Sequence, residues 1–385
     1  MRAQFAYVAN FGSYTVSAYR IGSDGTLTSI GSPVATGFLP SSVVVDPTGN
    51  FVYVANSRDG TISAYRIGSD GTLTSIGSPV AAGTNPLQVA IHPQGQFAYV
   101  ASELSNTVSA YRIGSDGALT SIGSLVATGH YPTSLAVDAT GFVYVTNQGD
   151  NSVSAYRIGF DGTLTSIGSP VATGIYPFSA AVDPTGNFVY VANEGDSTVS
   201  GYHIDSTTGE LTSIGSFPTG NAPFSVAVDP QGRFAYVANE LGNTVSAYRI
   251  SSDGTLTSIG SPVATGEFPY SVAITGCTTP PAITDVSTNR TVLWPPNHKM
   301  VDVTVNYGVT AGCGGTTTCS LSVTSNEAVN GTDWVVLSPN NVDLRADRLG
   351  TGTGRIYTIT IFCQDSLGTS SSATVTVRVP HDNGH

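Results

Sequence analysis

Six near-identical segments follow one another without a linker and fill most of the first 275 residues. The copies begin at phenylalanines spaced 46, 46, 45, 46 and 46 residues apart. A period this regular indicates one supersecondary unit that is stacked on itself. The six starting residues are Phe5, Phe51, Phe97, Phe142, Phe188 and Phe234.

Each copy contains four short β-type runs separated by turns rich in Gly, Asp, Asn, Ser and Pro. In the first copy the runs are FAYVAN, TVSAYRI, LTSIGSPVATG and PSSVVVDPTGN. Pro33 falls in the third run, and proline is tolerated in a sheet only on an edge strand, so this run is predicted to be the outermost. Four strands in about 40–50 residues are typical of a β-propeller blade, whereas β-helix and leucine-rich repeats are shorter.

The segments FVYVAN, TVSAYRI, DGTLT and VAVDPTGN resemble the YVTN β-propeller repeat. That repeat occurs in bacterial and archaeal surface proteins and in the propeller-fold lactonase family. The resemblance covers residues 5–275 and implies an all-β fold. It does not by itself imply an activity, because one fold hosts many functions.

The number of blades depends on how the two ends of the repeat region meet. The repeat region ends on Tyr270 to Ile274, YSVAI, which reads as an innermost strand with no blade left in front of it. If this strand pairs with FAYVAN at Phe5 to Asn10, the result is a closed six-bladed β-propeller. The resembled lactonases are usually seven-bladed, which keeps open the alternative of a seven-bladed ring with a missing upstream blade.

Composition argues for an extracellular type of protein with no nucleic-acid partner. Charged residues make up 10% of the chain, and the formal net charge is -12. Such a chain has no basic patch to neutralise phosphates, and it lacks the 18-residue apolar run that a membrane span needs. Residues 1–4 lead straight into the first strand with no signal peptide, so either the true start lies upstream or the chain is in mature form.

The cysteines lie after the propeller repeats and are even in number, which suggests disulfides in an oxidising compartment. We predict a bond between Cys319 and Cys363 first, with Cys277 and Cys313 as the second pair, although spacing alone does not fix the connectivity. The predicted location is extracellular or at the cell surface.

Differences between the six copies concentrate in two loops that an up-and-down blade places at the same end. One is the hairpin after YVAN, and the other is the G-x-x-P loop before the inner strand. Loops on a rigid scaffold commonly carry binding residues, so we predict a ligand-binding face. Its candidate residues are Phe11, Tyr14, Phe38, Arg58, Asp59, Glu103, His130, Tyr131, Asp150, Tyr176, Glu194, Asp196, Glu240, Glu267 and Phe268.

Aromatic side chains ringed by carboxylates suit a carbohydrate or a protein ligand, and they suit a phosphorylated sugar acid badly because like charges repel. The lactonase resemblance would imply a Gly-Pro-Arg-His type segment that supplies a cation and a base near the channel mouth. No copy here has Arg-His; the pair after the proline carries hydroxyls in five copies, as in Ser41-Ser42, and is Leu87-Gln88 in the other. We interpret the hydroxyls as local caps and turns. His130 is the one candidate base, and we predict no catalytic residue, no metal site and no cofactor. His92, on the opposite face, is interpreted as structural.

The last hundred residues have alternating β runs without a period, which indicates an Ig-like β-sandwich. We therefore predict a propeller over residues 1–275, a linker over 276–281 and the sandwich over 282–385. The predicted function is a secreted or surface-associated, non-catalytic recognition or scaffold protein with an Ig-like spacer or attachment module. The alternative is a lactonase-like hydrolase of the 6-phosphogluconolactonase type. Ligand identity and oligomeric state are not encoded in any motif that we recognise.

Overall fold

A computed structural model describes residues 4–22, 26–274, 280–311, 316–327, 332–348, 354–365 and 369–380. The chain divides into two compact units, Met1–Thr275 and Gly276–His385. Both units are built from β-strands, and the one helical element in the described ranges is a 3-10 turn at Gln148–Asp150. The fold is therefore all-β, as the repeat pattern predicts.

The first unit contains six antiparallel sheets, one for each copy of the repeat. The first sheet holds β1 (Gln4–Asn10), β2 (Thr15–Ile21), β3 (Leu27–Ser29) and β4 (Val34–Ala35). The second holds β5 (Pro40–Val45), β6 (Phe51–Asn56), β7 (Thr61–Ile67), β8 (Leu73–Ser75) and β9 (Val80–Ala81). The third holds β10 (Pro86–Ile91), β11 (Phe97–Ser102), β12 (Thr107–Ile113), β13 (Leu119–Ser121) and β14 (Val126–Ala127).

The other three sheets repeat this order. The fourth holds β15 (Pro132–Val137), β16 (Phe142–Asn147), β17 (Ser152–Ile158) and β18 (Leu164–Ala172). The fifth holds β19 (Pro177–Val182), β20 (Phe188–Asn193), β21 (Thr198–Ile204) and β22 (Leu211–Pro218). The sixth holds β23 (Pro223–Val228), β24 (Phe234–Asn239), β25 (Thr244–Ile250), β26 (Leu256–Ser258) and β27 (Val263–Ala264).

Each repeat supplies the second, third and outer strands of one sheet and then the inner strand of the next. In the second sheet the order is β5-β6-β7-β8, and β5 comes from the end of the preceding repeat. The outer run is split into two short strands in four of the sheets, with β8 and β9 both pairing β7 in this one. The strand order confirms that the run with proline is the outermost.

The core of the first unit lies between neighbouring sheets. Every residue of β6 is buried, because its two faces pack against the sheets on either side. Tyr53 at its centre reaches a turn of the next sheet. There its hydroxyl donates a 2.9 Å hydrogen bond to the carbonyl oxygen of Gly117. The same bond recurs from sheet to sheet, as with Tyr99 and the carbonyl of Gly162 at 3.1 Å. Stacked apolar faces and these bonds fix each sheet against its neighbour.

The predicted closure of the ring by its two ends is not formed. Residues 270–274 are not in a strand, and within the described residues β1 pairs with β2 alone on its long edges. The Val272 N–H donates to Ser225 Oγ at 3.3 Å, so this segment extends the row of inner strands beside β23 and does not reach β1. Strand pairing needs backbones about 4.8 Å apart. As a result β1 is only partly buried, whereas β6, β11, β16 and β20 are wholly buried and β24 is mostly buried.

In the described residues of the second unit, seven strands form two sheets. One sheet has the order β28-β29-β32-β31 and the other β30-β33-β34. Their buried core includes Val303, Val342, Tyr357 and Ile359, which all have no exposed surface. The strands are β28 (Ala282–Thr288), β29 (Met300–Thr310), β30 (Thr317–Ser325), β31 (Trp334–Ser338), β32 (Asn341–Arg345), β33 (Gly354–Asp365) and β34 (Ser370–Pro380).

A disulfide joins Cys319 on β30 to Cys363 on β33, where the two residues are directly opposite each other. This pairing confirms the first disulfide prediction. The predicted partners Cys277 and Cys313 lie outside the described residues. In the described part of the chain, no helix has the length and apolar character needed to cross a membrane.

Candidate functional site

The inner strands of the first unit converge on a central pocket of about 420 Å³. It is lined by the two residues that follow each inner-strand proline, so every repeat contributes one pair. The pocket therefore opens at the end of the ring where the G-x-x-P loops enter the inner strands. The lining residues are Ser41, Ser42, Leu87, Gln88, Thr133, Ser134, Phe178, Ser179, Phe224, Ser225, Tyr270 and Ser271.

Hydroxyl groups of the lining hold neighbouring inner strands together. Ser42 Oγ accepts a hydrogen bond from the Val89 N–H at 3.3 Å, and Ser134 Oγ accepts one from Ala180 at 3.2 Å. Thr133 Oγ1 donates to the carbonyl of Pro177 at 3.1 Å. These hydroxyls therefore bridge neighbouring inner strands, in place of the local caps that the sequence predicted.

Three aromatic side chains, one from each of three successive repeats, make one half of the lining unlike the other. The rings of Phe178 and Phe224 have centroids 3.6 Å apart, and those of Phe224 and Tyr270 are 4.6 Å apart and edge-on. The other three repeats place Ser41, Leu87 and Thr133 at this position. The pocket therefore has an aromatic wall facing a smaller, more polar wall.

Two glutamates and a tyrosine interact at the aromatic wall. Burial, followed by the negative charge of Glu240, raises the pKa of Glu194. A hydrogen bond to Glu240, in which the phenol donates, is the main cause that raises the pKa of Tyr270, and the charges of Glu240 and Glu194 add to it. Glu194, Glu240 and Tyr270 thus form one coupled group, which we call the acidic cluster. A carboxylate whose pKa is raised in a cleft is a candidate proton acceptor.

The backbone fixes where the two glutamates stand. Each follows the end of a second strand, and its N–H donates to the carbonyl of the loop residue before the inner-strand proline. The distances are 2.9 Å from Glu194 to Tyr176 and 2.7 Å from Glu240 to Ala222. Both loop residues have positive φ, 53° in each case. A non-glycine residue pays about 1–2 kcal/mol for this conformation, so the bonds hold the loops in a strained, defined shape.

Neighbouring sheets also brace these loops. Asn151 Oδ1 accepts a hydrogen bond from the Tyr176 N–H at 2.8 Å, and Asn243 Oδ1 accepts one from Phe268 at the same distance. Each asparagine comes from the hairpin of the preceding sheet. The pocket rim is therefore a continuous network and not a set of independent loops.

The two variable loops do lie together. Several side chains that were predicted to contact a ligand are hydrogen-bonded to the other loop instead. Asp59 Oδ2 accepts the Phe38 N–H at 2.8 Å, and Asp196 Oδ2 accepts the Ile175 N–H at 3.1 Å. Glu103 Oε2 is hydrogen-bonded to the side-chain amide of Asn85. These carboxylates cap the neighbouring loop, so three of the predicted acids have a structural partner already.

His130 is held by Asp150 and does not line the central pocket. Its ring Nδ1 is 2.8 Å from Asp150 Oδ1, and its backbone N–H donates to Asp150 Oδ2 at 2.7 Å. The hydrogen bonds with His130 lower the pKa of Asp150. The histidine side chain is 69% exposed, which leaves its other nitrogen in contact with solvent.

The remaining predicted face residues are spread over the rim. Tyr14 and Phe38 pack edge-on with centroids 4.9 Å apart. Ligand contact by these loop side chains stays a prediction. The exposed residues of this group are Phe11, Phe38, Arg58, Tyr131, Tyr176, Glu267 and Phe268.

Residue-by-residue reasoning missed the aromatic wall. Phe178, Phe224 and Tyr270 are the aromatic members of one repeat position, the first after the inner-strand proline. Comparing that position across the six copies would have found them. Of the predicted face, the structure brings Glu194 and Glu240 into the acidic cluster. In the described residues, no group of three His, Cys, Asp or Glu side chains is placed to hold a metal ion.

Comparison with known proteins finds a family and several similar structures. The sequence model of the family described as "Lactonase, 7-bladed beta-propeller" matches residues 2–89 and 77–228, more than half of the chain. No curated protein matches the sequence. The family description gives seven blades, so it does not confirm the six that the sequence predicts.

Three solved structures show the likeness of the fold. A putative 6-phosphogluconolactonase from Bacteroides uniformis is 17% identical with a TM-score of 0.61, over 99% of this chain and 99% of that one. A protein from Lactobacillus plantarum is 20% identical with a TM-score of 0.61, over 98% and 97%. The periplasmic gluconolactonase PpgL of Pseudomonas aeruginosa is 19% identical with a TM-score of 0.58, over 69% and 84%.

These findings contradict the prediction of a non-catalytic recognition or scaffold protein. The family match supports the lactonase-type alternative instead. The physical argument behind the wrong prediction was that near-identical repeats supply the same groups around a ring. That argument fails here because the pocket is asymmetric, with aromatic residues and interacting glutamates concentrated in the last repeats.

Proposed function

This chain belongs to the lactonase family of seven-bladed β-propellers, and on that premise we propose that it hydrolyses a lactone in the central pocket of its first unit. The observation that carries the proposal is the acidic cluster at the aromatic wall. It joins Tyr270 of the pocket lining by a hydrogen bond to Glu240, and the charge of Glu240 adds to the burial that raises the pKa of Glu194. Neighbours titled 6-phosphogluconolactonase and gluconolactonase agree with this reaction class.

Glu194 is the proposed general base. Its carboxylate takes a proton from a water molecule while the water oxygen bonds to the lactone carbonyl carbon. Collapse of the tetrahedral adduct breaks the bond between that carbon and the ring oxygen, which receives the proton from Glu194. The product is an open-chain hydroxy acid, and the carboxylate is restored.

Glu240 supports this role in two ways. Its charge adds to the effect of burial on Glu194, which brings that pKa closer to neutral and makes the carboxylate a stronger base. It also accepts a hydrogen bond from the Tyr270 hydroxyl, which orients the phenol ring at the end of the aromatic wall. No Arg-His pair is needed for this chemistry, and the lining contains none.

Lactone hydrolysis by purified protein tests the proposal. Glu194→Gln keeps the shape of the side chain but cannot take a proton, so kcat should fall about 100- to 10,000-fold. Glu267→Gln is the matched control, because Glu267 is an exposed rim glutamate outside the acidic cluster, whereas Glu194 is partly buried. Turnover that is absent in the wild type, or equal in the two variants, would refute the proposal.

Two further assignments rest on the second unit. We propose that it is an Ig-like β-sandwich, supported by its seven strands in two sheets around one core. We also propose an extracytoplasmic location, supported by the disulfide between Cys319 and Cys363. The neighbour from Pseudomonas aeruginosa is periplasmic by its title.

A further inference from the structure

The two halves of the central pocket differ in the size and polarity of their side chains. Phe178, Phe224 and Tyr270 pack on one another and form a continuous apolar surface on one side. An apolar surface of this kind packs against the C–H face of a ring and removes both from water. Opposite them, Ser41 and Thr133 present small side chains that leave room for a ring to lie against the wall.

The charges that act on the aromatic wall are negative. Glu194 and Glu240 border the aromatic wall, and Glu103 occupies the same repeat position in the third sheet, where it is partly buried. None of the twelve lining residues is Lys, Arg or His. A phosphate monoester entering this pocket would meet carboxylates without a cation to pair with, which is an unfavourable approach and a poor bound state.

Carboxylates are good partners for hydroxyl groups. An ionised carboxylate offers acceptor sites on both oxygens, and bonds from hydroxyl donors to it are short and strong. Glu240 accepts the Tyr270 hydroxyl in this way already. A ring that carries several hydroxyl groups at its edge and C–H bonds on its face therefore matches both parts of the wall.

We propose that the pocket selects uncharged, polyhydroxylated lactones and discriminates against their phosphorylated counterparts. The aromatic wall packs against the C–H face of the ring, and the glutamates accept hydrogen bonds from the ring hydroxyls and repel a phosphate. This inference rests on the proposed lactonase function and adds the class of substrate to it. It makes Phe224 and Glu240 determinants of specificity.

The test compares D-glucono-1,5-lactone with its 6-phosphate, using the full chain. The uncharged lactone should have a kcat/KM at least about tenfold higher. Raising the ionic strength from about 20 to about 300 mM should increase kcat/KM for the phosphorylated lactone and leave the uncharged one nearly unchanged, because salt screens the repulsion. Equal or higher kcat/KM for the phosphorylated lactone, or no salt effect, would overturn the inference.

Two variants connect the preference to the named residues. Glu240→Gln should reduce the ratio of kcat/KM for the uncharged lactone to kcat/KM for the phosphorylated one, since it removes one negative charge. Phe224→Ala should raise KM for D-glucono-1,5-lactone several-fold, whereas Leu87→Ala, on the opposite wall, should change it less. An unchanged ratio in the first variant, or equal effects in the other two, would contradict these roles.

Binding separates failure of the inference from failure of the proposed function. D-Gluconolactam has the ring and hydroxyls of the lactone but resists hydrolysis, and calorimetry measures its binding beside that of its 6-phosphate. Preferential binding of the uncharged lactam without turnover of any lactone would uphold the inference and refute the proposed reaction. Preferential binding of the phosphate would refute the inference whatever the turnover.

Discussion

One position of the repeat allows a stability argument with its own internal controls. Five copies end the second strand with asparagine, and the third copy has Ser102 there. In the second sheet, Asn56 Nδ2 donates to Thr61 Oγ1 at 3.1 Å and to Ser63 Oγ at 3.0 Å, and its Oδ1 accepts the Gly37 N–H at 3.1 Å. Serine is too short to make these bonds.

The third sheet shows the consequence. Ser102 Oγ and Ser109 Oγ are buried, and neither has a hydrogen-bond partner in the protein. Ser109 is the counterpart of Ser63. Glycine lies beside this position in both sheets, Gly37 in one and Gly83 in the other, and a Cβ on either would collide with the strand residue. The space for an asparagine amide is therefore present in the third sheet as well.

We expect Ser102→Asn to stabilise the first unit by about 1–2 kcal/mol. The amide would gain up to three bonds, each with a net value of about 1 kcal/mol, and Ser109 would gain a donor. The loss of side-chain freedom offsets part of the gain. Asn56→Ser should destabilise by a similar amount, because it creates the same defect in the second sheet.

Urea unfolding followed by circular dichroism measures both variants, and Ser109→Ala supplies the decisive comparison. In the wild type this change removes a hydroxyl without a protein partner, so it should be nearly neutral or stabilising. In the Ser102→Asn background it removes an acceptor and should cost about 1 kcal/mol. Equal effects of Ser109→Ala in the two backgrounds would refute the reasoning.

Two further substitutions test other parts of the first unit. Tyr53→Phe deletes a buried hydrogen bond between sheets and should cost about 1 kcal/mol in urea unfolding, whereas Tyr7→Phe, which deletes the same bond at the partly exposed β1, should cost less; equal costs would contradict the role of burial. Burial lowers the pKa of His92, whose Nδ1 accepts the Gln94 N–H at 3.2 Å, so stability should be complete above the unfolded pKa of about 6.5 and fall as pH drops through the lower folded pKa. His92→Asp, which restores the aspartate of the other copies, should remove this histidine's share of the acid sensitivity and stabilise by about 1 kcal/mol at neutral pH; a melting temperature that changes with pH as in the wild type would contradict it.

Much of the fold can be predicted from the sequence because it is encoded locally. Proline at Pro33, Pro79, Pro170 and Pro262 marks the edge strand of its sheet, and apolar residues on both faces of FVYVAN mark a strand between two neighbours. Ring closure is different, since it depends on two segments about 260 residues apart. No local pattern states whether Tyr270 to Ile274 reaches β1, and the pairing predicted there is absent from the structure.

The site was predicted less well than the fold. Glu194 and Glu240 are among the predicted face residues, but so are Asp59 and Asp196, which cap loops instead. Sequence alone does not show which carboxylates have backbone partners, because those partners lie 21 residues away in the chain. The interaction of Glu194 with Glu240 is also invisible in the sequence, since it joins two adjacent sheets.

The pH dependence of kcat/KM for an uncharged lactone, in the wild type and in Glu240→Gln, tests the central claim most directly. Glu194 must be deprotonated to act as a base, so activity should fall as pH decreases through its raised pKa. Removing the charge of Glu240 lowers that pKa, so the acidic limb of the profile should move to lower pH in the variant. A limb that stays in place, or a wild-type protein without turnover above the uncatalysed rate, would contradict Glu194 as the base of a lactonase site.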